Sequence, residues 1–283
     1  MLKKNVIKII PKSLKVLIKK IVQRLIDIQV RYNFIKSISP KKINALKSSK
    51  KNHKKCFIIG SGPSIGNQNL NLLLNHFTIV HNTFYSINKN YDFHPSLYVV
   101  EDILVAEDNK EELNKIFDVD LIVPYRLKKF IKPRKNVNYI NFDYSYLDSA
   151  KDNDHESLDF KFSNNIQDKA YWGGTVVYLS MQIAYYLGFK EIYLLGVDLS
   201  YSIPKSAKIE GNVVTSTEDN SNHVGDMYGK GKKWHLPKTD RMKSAIEFAT
   251  EFLISNGVKV YNCSPKSTIK GAKNINFNKI FLD

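Results

Sequence analysis

A glycine-rich turn directly follows the first apolar run of the chain, Cys56–Gly60, and has the sequence Gly60-Ser61-Gly62-Pro63-Ser64. Glycines let a ligand approach the backbone closely, and N–H groups at the start of a following helix attract phosphate. The turn is neither a GxGxxG fingerprint nor a P-loop, because it lacks the required spacing and the Lys-Ser/Thr pair. It predicts a phosphate or nucleotide contact, and a structural tight turn is the alternative.

Polar residues also follow the second and third apolar runs. Asn82 comes after Phe77–Val80, and Glu101-Asp102 comes after Leu97–Val100. Asparagine at such a position hydrogen-bonds a nucleotide or fixes a turn, and acids at the carboxyl end of a strand face the ligand crevice of a parallel sheet. For the acidic pair, capping of the next helix is the alternative.

Two glycines open a strongly helical segment, in Trp172-Gly173-Gly174-Thr175. This arrangement suits the close approach of a phosphate or a sugar to a helix N-terminus. The strand-like run that follows the helix ends at Asp198, beside Ser200 and Tyr201.

Two histidines of a long polar segment are candidates for a general base, since the pKa of histidine lies near neutrality. His223 ends the run Asp219-Asn220-Ser221-Asn222-His223, and His235 follows Trp234. An isolated surface histidine is the alternative for each. Cys56 and Cys263 lie in apolar surroundings and are predicted to be buried thiols, and no metal-ligand spacing is present.

Strand-like and helical segments alternate from residue 56 onward, which predicts an α/β fold with a mostly parallel sheet flanked by helices. Residues 145–169 and 200–237 are polar and irregular, and the second segment is predicted to be a lid. The predicted strands are Cys56–Gly60, Phe77–Val80, Leu97–Val100, Leu121–Val123, Val137–Ile140, Glu191–Leu195 and Val258–Tyr261, and the predicted helices are Asn67–Asn75, Ala106–Phe117, Gly174–Leu187 and Asp240–Ser255.

The formal net charge of +16 belongs to the N-terminal part of the chain. Residues 1–55 contain 17 Lys or Arg and one acid, Asp27, whereas residues 56–283 contain 26 basic and 26 acidic residues. Between Pro11 and Tyr32, apolar residues recur at three- and four-residue steps, which predicts a basic amphipathic helix on an anionic membrane surface. Packing on the domain or on a second copy of the chain is the alternative, and nucleic acid is not predicted as a partner.

Residues 34–55 are polar and basic and are predicted to be a linker, so residues 56–283 are predicted to form the globular domain, with the lid at 200–237. No secretory signal is visible, and no segment approaches the roughly 18–20 apolar residues that span a bilayer. The sequence therefore predicts a cytoplasmic protein, peripheral on the inner membrane.

Taken together and in this order, these sites resemble the bacterial sialyltransferases of glycosyltransferase family 42. They are also similar to the related group that includes the flagellin-modifying motility-associated factors and the archaeal pterin pyrophosphokinase-like proteins. The resemblance covers roughly residues 54–270. It rests on FIIGSGPS, VHNTFY, GGTVVYLSMQIAYYLGFKEIYLLGVD, DNSNH and IEFATEFLISNGVKVYNCSPKS. It implies a Rossmann-like fold of the sialyltransferase type, a variant of the GT-A architecture.

The resemblance also implies roles for individual residues. His223, shifted by one residue, matches the general base of the family, and His235 competes with it. Tyr201 lies next to the position of a tyrosine that assists phosphate departure, which is Ser200 here. Two further departures are the Gly-Ser-Gly turn, where the family has Gly-Asn-Gly, and Glu101-Asp102, where it has asparagine. The residues expected to hold the donor are Gly60, Ser61, Gly62, Ser64, Asn82, Asp102, Gly173, Gly174, Thr175 and Asp198.

The activity implied is inverting transfer of a sialic acid-like sugar or Kdo from a CMP-sugar to a glycan or glycolipid acceptor, as in lipopolysaccharide or capsule biosynthesis. No cofactor and no metal are expected, because the CMP-sugar is itself the donor. Two other functions stay open. One is a pyrophosphokinase-like transfer that uses ATP and Mg²⁺ held by Glu101 and Asp102. The other is a non-catalytic scaffold in polysaccharide assembly.

Overall fold

Short strands and helices alternate along the chain. A computed structural model describes residues 11–35, 39–50, 52–88, 91–144, 160–203, 205–217 and 231–281. The strands are β1 Lys55–Ile59, β2 Phe77–His81, β3 Leu97–Val99, β4 Asp120–Pro124, β5 Val137–Ile140, β6 Phe142–Asp143, β7 Ala170–Tyr171, β8 Glu191–Leu195, β9 Lys208–Glu210, β10 Val213–Thr215, β11 Lys233–His235, β12 Lys259–Asn262 and β13 Lys273–Asn274.

The helices differ greatly in length. They are α1 Lys12–Ile35, α2 Ser39–Ala45, α3 Tyr85–Asn88, α4 Ile103–Asp108, α5 Lys110–Leu113, α6 Val176–Tyr186 and α7 Thr239–Ser255. Short 3-10 turns lie at Leu46–Lys50, Pro63–Asn67, Leu70–Leu73, Tyr125–Lys129 and Phe277–Phe281. None of the helices described is both long enough and apolar enough to cross a bilayer.

Eight strands form one parallel sheet in the order β13-β12-β8-β1-β2-β3-β4-β5. The chain builds outward from β1 to β5 and then crosses back to place β8 on the other side of β1. This reversal creates a crevice between β1 and β8 at the carboxyl edge of the sheet, where ligands bind in such folds. The predicted α/β fold with a Rossmann-like parallel sheet is therefore confirmed.

The sheet is buried on both faces because helices and turns cover each side. Along β1, Cys56 and Ile58 pack in one core with α6 and α7, whereas Phe57 and Ile59 pack in a second core with the short helices and turns. Alternate residues of a strand point to opposite faces, so the run Cys56–Ile59 is apolar throughout. Cys56 and Cys263 are buried free thiols, as predicted.

Two predicted helices are shorter or broken. The expected helix at Asn67–Asn75 is a single 3-10 turn, Leu70–Leu73, and the side chain of Asn69 accepts a hydrogen bond from Asn71 N. Asparagine side chains compete with the helical backbone in this way. The expected helix at Ala106–Phe117 is divided into α4 and α5 at Asn109, whose backbone leaves the helical region.

The predicted linker at residues 34–55 is wrong for much of its length. Phe34, Ile43 and Leu46 are buried in the core that contains α6. In addition, Lys50 Nζ donates to Gly188 O at 2.6 Å. The apolar residues of this segment pack on the domain even though lysines lie between them. This is possible because the aliphatic part of a lysine lies along a protein surface while its charge stays in water.

The segment predicted as an irregular lid contains regular structure. β9, β10 and β11 form an antiparallel sheet of three strands, in which Val214 pairs with Trp234. Trp234 is buried and its Nε1 donates to Ser216 Oγ at 3.2 Å. This small sheet lies over the carboxyl edge of the main sheet and carries His235.

Candidate active site

A cleft of about 610 Å³ opens at the carboxyl edge of the main sheet, at the crevice between β1 and β8. It is lined by the loops that follow β1, β2, β3, β4 and β8, by the start of α6, and by the segment from β11 to the first turn of α7. Of the predicted site residues, the cleft brings together Gly60, Ser61, Gly62, Asn82, Asp102, Gly174, Thr175, Asp198, Tyr201 and His235.

The glycine turn after β1 packs against the loop after β8. Gly60 N donates to Leu195 O at 2.7 Å, and Gly62 N donates to Gly196 O at 2.9 Å. A Cβ on Gly62 would lie 2.6 Å from Asp198 Oδ2, so a side chain does not fit there. The glycines therefore serve loop packing, which was the structural alternative, while the same turn also lines the cleft.

Ser64 lies behind the cleft wall, although it was predicted to contact the nucleotide. It is buried, its N–H donates to Asp198 Oδ2 at 2.9 Å, and its hydroxyl donates to Asp198 Oδ1 at 2.5 Å. Both oxygens of Asp198 are used in this way, so Asp198 fixes the glycine turn from the opposite side of the crevice.

The start of α6 faces the cleft through Gly174 and Thr175. Gly174 has a φ of +83°, a conformation that favours glycine. Thr175 caps the helix, since its side chain accepts a hydrogen bond from Val177 N. Gly173 does not line the cleft. A Cβ there would lie 2.4 Å from the Tyr178 ring, so this glycine permits packing, a different role from the predicted donor contact.

Two cleft-lining residues hold left-handed backbones without being glycine. Asn82 has a φ of 49° and Leu199 a φ of 52°. Such conformations store strain and cluster at functional sites. At Asn82 the neighbouring strand fixes the backbone, because Asn82 N donates to Val99 O and Tyr98 OH donates to Asn82 O.

Glu101 and His81 supply uncharged polar groups to the cleft. Burial, reinforced by the nearby Asp102, raises the pKa of Glu101 to about 8, and burial lowers the pKa of His81 to about 3. His81 Nε2 bonds Ser180 Oγ at 2.7 Å. Glu101 Oε2 is buried and has no hydrogen-bond partner among the described residues.

Asp102 and His235 form a hydrogen-bonded pair across the cleft. His235 Nδ1 lies 2.7 Å from Asp102 Oδ2, and each side chain is about a third exposed, 31% for His235 and 29% for Asp102. The hydrogen bond that His235 Nδ1–H donates to Asp102 raises the pKa of His235 above its ordinary value. Because the bond uses Nδ1, Nε2 is the ring atom that receives a proton, as in a carboxylate-oriented general base.

The same carboxylate also caps α4. Asp102 Oδ1 accepts hydrogen bonds from Leu104 N at 2.7 Å and from Val105 N at 3.3 Å. The capping alternative is therefore correct, and it coexists with the contact to His235. The other end of α4 holds β11 in place, since Lys233 N donates to Asp108 Oδ2 at 2.7 Å.

Three basic side chains that were not predicted line the cleft, namely Arg126, Lys238 and Arg241. Arg241 is buried, burial lowers its pKa, and its guanidinium lies 4.5 Å from the centre of the Trp172 ring. With Glu101 uncharged, these cations exceed the cleft carboxylates, so the cleft attracts an anion.

The positions of Arg241 and Arg126 in the sequence could have indicated that they line the cleft. Arg241 precedes Ala245 and Ala249 by four and eight residues, which places a cation on the buried face of α7. Arg126 closely follows the carboxyl end of β4, where ligand contacts are expected.

Tyr201 lies in the cleft beside Asp198, and burial together with that carboxylate raises its pKa to about 12. Its hydroxyl therefore stays protonated and can donate a hydrogen bond. His223 lies outside the described residues. Among the residues that are described, no group of three or more His, Cys, Asp or Glu side chains could hold a metal ion.

Comparison with known proteins gives one family match. The sequence of residues 30–204 matches the family described as MptE-like, 6-hydroxymethylpterin diphosphokinase MptE-like. No curated protein sequence matches the chain. This agrees with the resemblance to the group that contains pterin pyrophosphokinase-like proteins, and the family that matches is not the family 42 sialyltransferases.

One solved structure that resembles this chain is a MAf glycosyltransferase from Magnetospirillum magneticum AMB-1. The TM-score is 0.47 and the sequence identity 16%, over 85% of this chain and 39% of that chain. This chain therefore spans about two fifths of the length of that protein.

Proposed function

The chain belongs to the MptE-like family, and we propose that it is a nucleotide-dependent transferase that moves a group from a phosphate leaving group to an acceptor hydroxyl. The Asp102–His235 pair carries this proposal, because it places an oriented base in a cleft that also attracts an anion. In its finer form, the donor is a CMP-sugar of the sialic acid or Kdo type and the acceptor is a surface glycan.

The donor would bind across the crevice between β1 and β8. The glycine turn at 60–62 and the start of α6 line the crevice closely enough for a phosphate to lie between them, and Arg241 adds a positive charge. Asn82 would contact the nucleoside at the end of β2. These residues lie on both sides of the crevice, which suits a ligand with a nucleotide at one end and a sugar at the other.

The chemical step would be a single displacement. His235 Nε2 takes the proton of the acceptor hydroxyl while the acceptor oxygen forms a bond to the anomeric carbon. The bond between that carbon and the CMP phosphate oxygen breaks, and its electron pair stays on the phosphate. The Tyr201 hydroxyl and the Arg241 guanidinium stabilise the charge that develops on this leaving group. Attack from the face opposite to CMP inverts the configuration.

Asn82→Gly is expected to weaken CMP binding by about 1–3 kcal/mol, the usual effect of removing one partner of a polar contact. Glycine accepts the left-handed backbone of this position, so folding should be nearly unaffected. Asn82→Ala should add strain and lower the melting temperature as well. Calorimetry with CMP and thermal unfolding separate the two effects. An unchanged CMP affinity in Asn82→Gly would remove Asn82 from the site.

A second candidate, diphosphate transfer from ATP, is favoured by the description of the family. Its metal would need Glu101 and Asp102, and a cation would have to displace the proton that burial holds on Glu101. Asp102 already accepts from two backbone N–H groups and contacts His235. As arranged, these two side chains do not fit a magnesium site, so the geometry supports glycosyl transfer better.

A ligand panel separates the candidates. Thermal shift with CMP, UDP, GDP and ATP should give the largest stabilisation with CMP, and CMP-sugars should release CMP in the presence of an acceptor glycan. AMP release from ATP that requires Mg²⁺, with no CMP release, would establish diphosphate transfer instead. Absence of any nucleotide binding would leave a scaffold role and reject both enzymatic functions.

A further inference from the structure

The long helix α1 exposes an apolar face to the surroundings. Its exposed large hydrophobic residues, each between 42% and 60% exposed, are Leu14, Leu17, Ile18, Ile21, Val22, Leu25, Ile26, Ile28 and Tyr32. Single exposed apolar residues are normal on proteins, whereas a continuous row along about five turns of helix marks an interaction surface. The three- and four-residue spacing of these residues places them on one side of the helix.

The apolar face is exposed even though α1 is attached to the domain. Phe34, in the last turn, is 1% exposed and its ring lies edge-on at 6.4 Å from the ring of Tyr125. This contact seats the end of the helix on the turn Tyr125–Lys129. The domain therefore covers the end of α1 and leaves the apolar face for another partner.

The surface next to this attachment point is strongly basic. Residues 125–135 contain six Lys or Arg and no acid, and Lys128, Lys129, Lys132 and Lys135 are exposed. The segment is tied to α2, because Lys42 Nζ donates to Arg134 O and Lys135 O at 3.0 Å each. Arg24 and Arg31 of α1 are exposed as well.

We propose that the apolar face of α1 and the basic segment 125–135 together form a docking surface for an anionic lipid bilayer. An apolar helix face enters the acyl boundary, and adjacent cations meet the lipid headgroups. A second copy of the chain fits less well, because pairing two such surfaces would bring two clusters of positive charge together.

The docking surface is adjacent to the cleft. Arg126 lines the cleft and belongs to the same turn that holds Phe34. A bilayer-bound molecule would thus hold this edge of the cleft near the membrane, which suits an acceptor glycan carried on a lipid. This assignment of the acceptor class rests on the proposed function, whereas the docking surface itself does not.

Co-sedimentation of the full chain with vesicles of phosphatidylglycerol and phosphatidylcholine tests the surface. Leu25→Asp should weaken partitioning by about tenfold or more, since it places a charge in the apolar face. Leu74→Asp is the matched control, because Leu74 is exposed to a similar degree, 57% against 60%, but lies on the domain. Equal binding of both variants, or binding that needs no anionic lipid, would overturn the proposal.

The basic segment is tested in the same assay. Lys132→Glu with Lys135→Glu should weaken partitioning, whereas Lys266→Glu with Lys270→Glu, at the opposite edge of the sheet, should not. Sedimentation velocity without vesicles tests the competing possibility that α1 mediates self-association. A dimer that Leu25→Asp converts to a monomer, with vesicle binding unchanged, would assign α1 to self-association.

CMP release with a water-soluble acceptor keeps the two proposals separate. Leu25→Asp should not change this rate, because the substitution is remote from the cleft. Loss of vesicle binding with CMP release intact supports the docking surface alone, and absence of CMP release in the unaltered protein counts against the proposed function alone. The rate of CMP release with a lipid-linked acceptor should be higher for the unaltered protein than for Leu25→Asp. Equal rates would reject the acceptor assignment.

Discussion

Replacing His235 with alanine is expected to lower turnover by a factor of about 10²–10⁴, the usual contribution of a placed general base, with the affinity for CMP nearly unchanged. The reason is the position of His235. Its Nδ1 is held by Asp102, and it lines the same cleft as the glycine turn beside which the donor phosphate would lie. Single-turnover measurement of CMP release, together with calorimetry, separates loss of chemistry from loss of binding.

Asp102→Asn is the companion variant, because asparagine keeps the cap of α4 and removes the charge that raises the pKa of His235. The base must be neutral, so activity rises with pH through the pKa of His235. In Asp102→Asn this rise should move to lower pH and the maximal rate should fall. His223→Ala tests the assignment made from the sequence. An inactive His223→Ala beside an active His235→Ala would show that His223 is the base.

Glu101→Gln is expected to remove a strong pH dependence of stability above pH 4.5. The folded protein holds this group at a pKa of about 8, far above its ordinary value of 4.5, because it is buried. Between those two values the unfolded chain is ionised at this position and the folded chain is protonated. The free energy of unfolding should therefore fall with rising pH by about 1.4 kcal/mol per pH unit across this window.

Glutamine is uncharged, so the variant should lack this decline and become the more stable protein toward pH 8. Urea unfolding of both proteins from pH 5 to pH 8 gives the difference curve. Glu107→Gln is the control, since Glu107 is exposed and its substitution should leave the slope unchanged. Parallel curves for the unaltered protein and Glu101→Gln would mean that Glu101 is ionised in the folded state.

Local patterns in the sequence determined the fold class and one edge of the site. Apolar runs of strand length between helical segments require a parallel sheet covered on both faces, and they placed most of the main strands close to their observed positions. Because the carboxyl ends of parallel strands share one edge, Gly60, Asn82 and Asp102 were predicted to meet without knowledge of the topology. The basic amphipathic helix followed from the spacing of its apolar residues.

The tertiary structure determined which histidine contacts the Asp102 carboxylate and which polar side chains are removed from solvent. His235 and Asp102 are 133 residues apart, and they meet because β11 pairs with β10 and docks on the end of α4. Similarly, Glu101 is uncharged only because the surrounding chain removes it from solvent. Residue type and periodicity describe neighbours along the chain, whereas hydrogen-bond partners and desolvation depend on segments that only folding brings together.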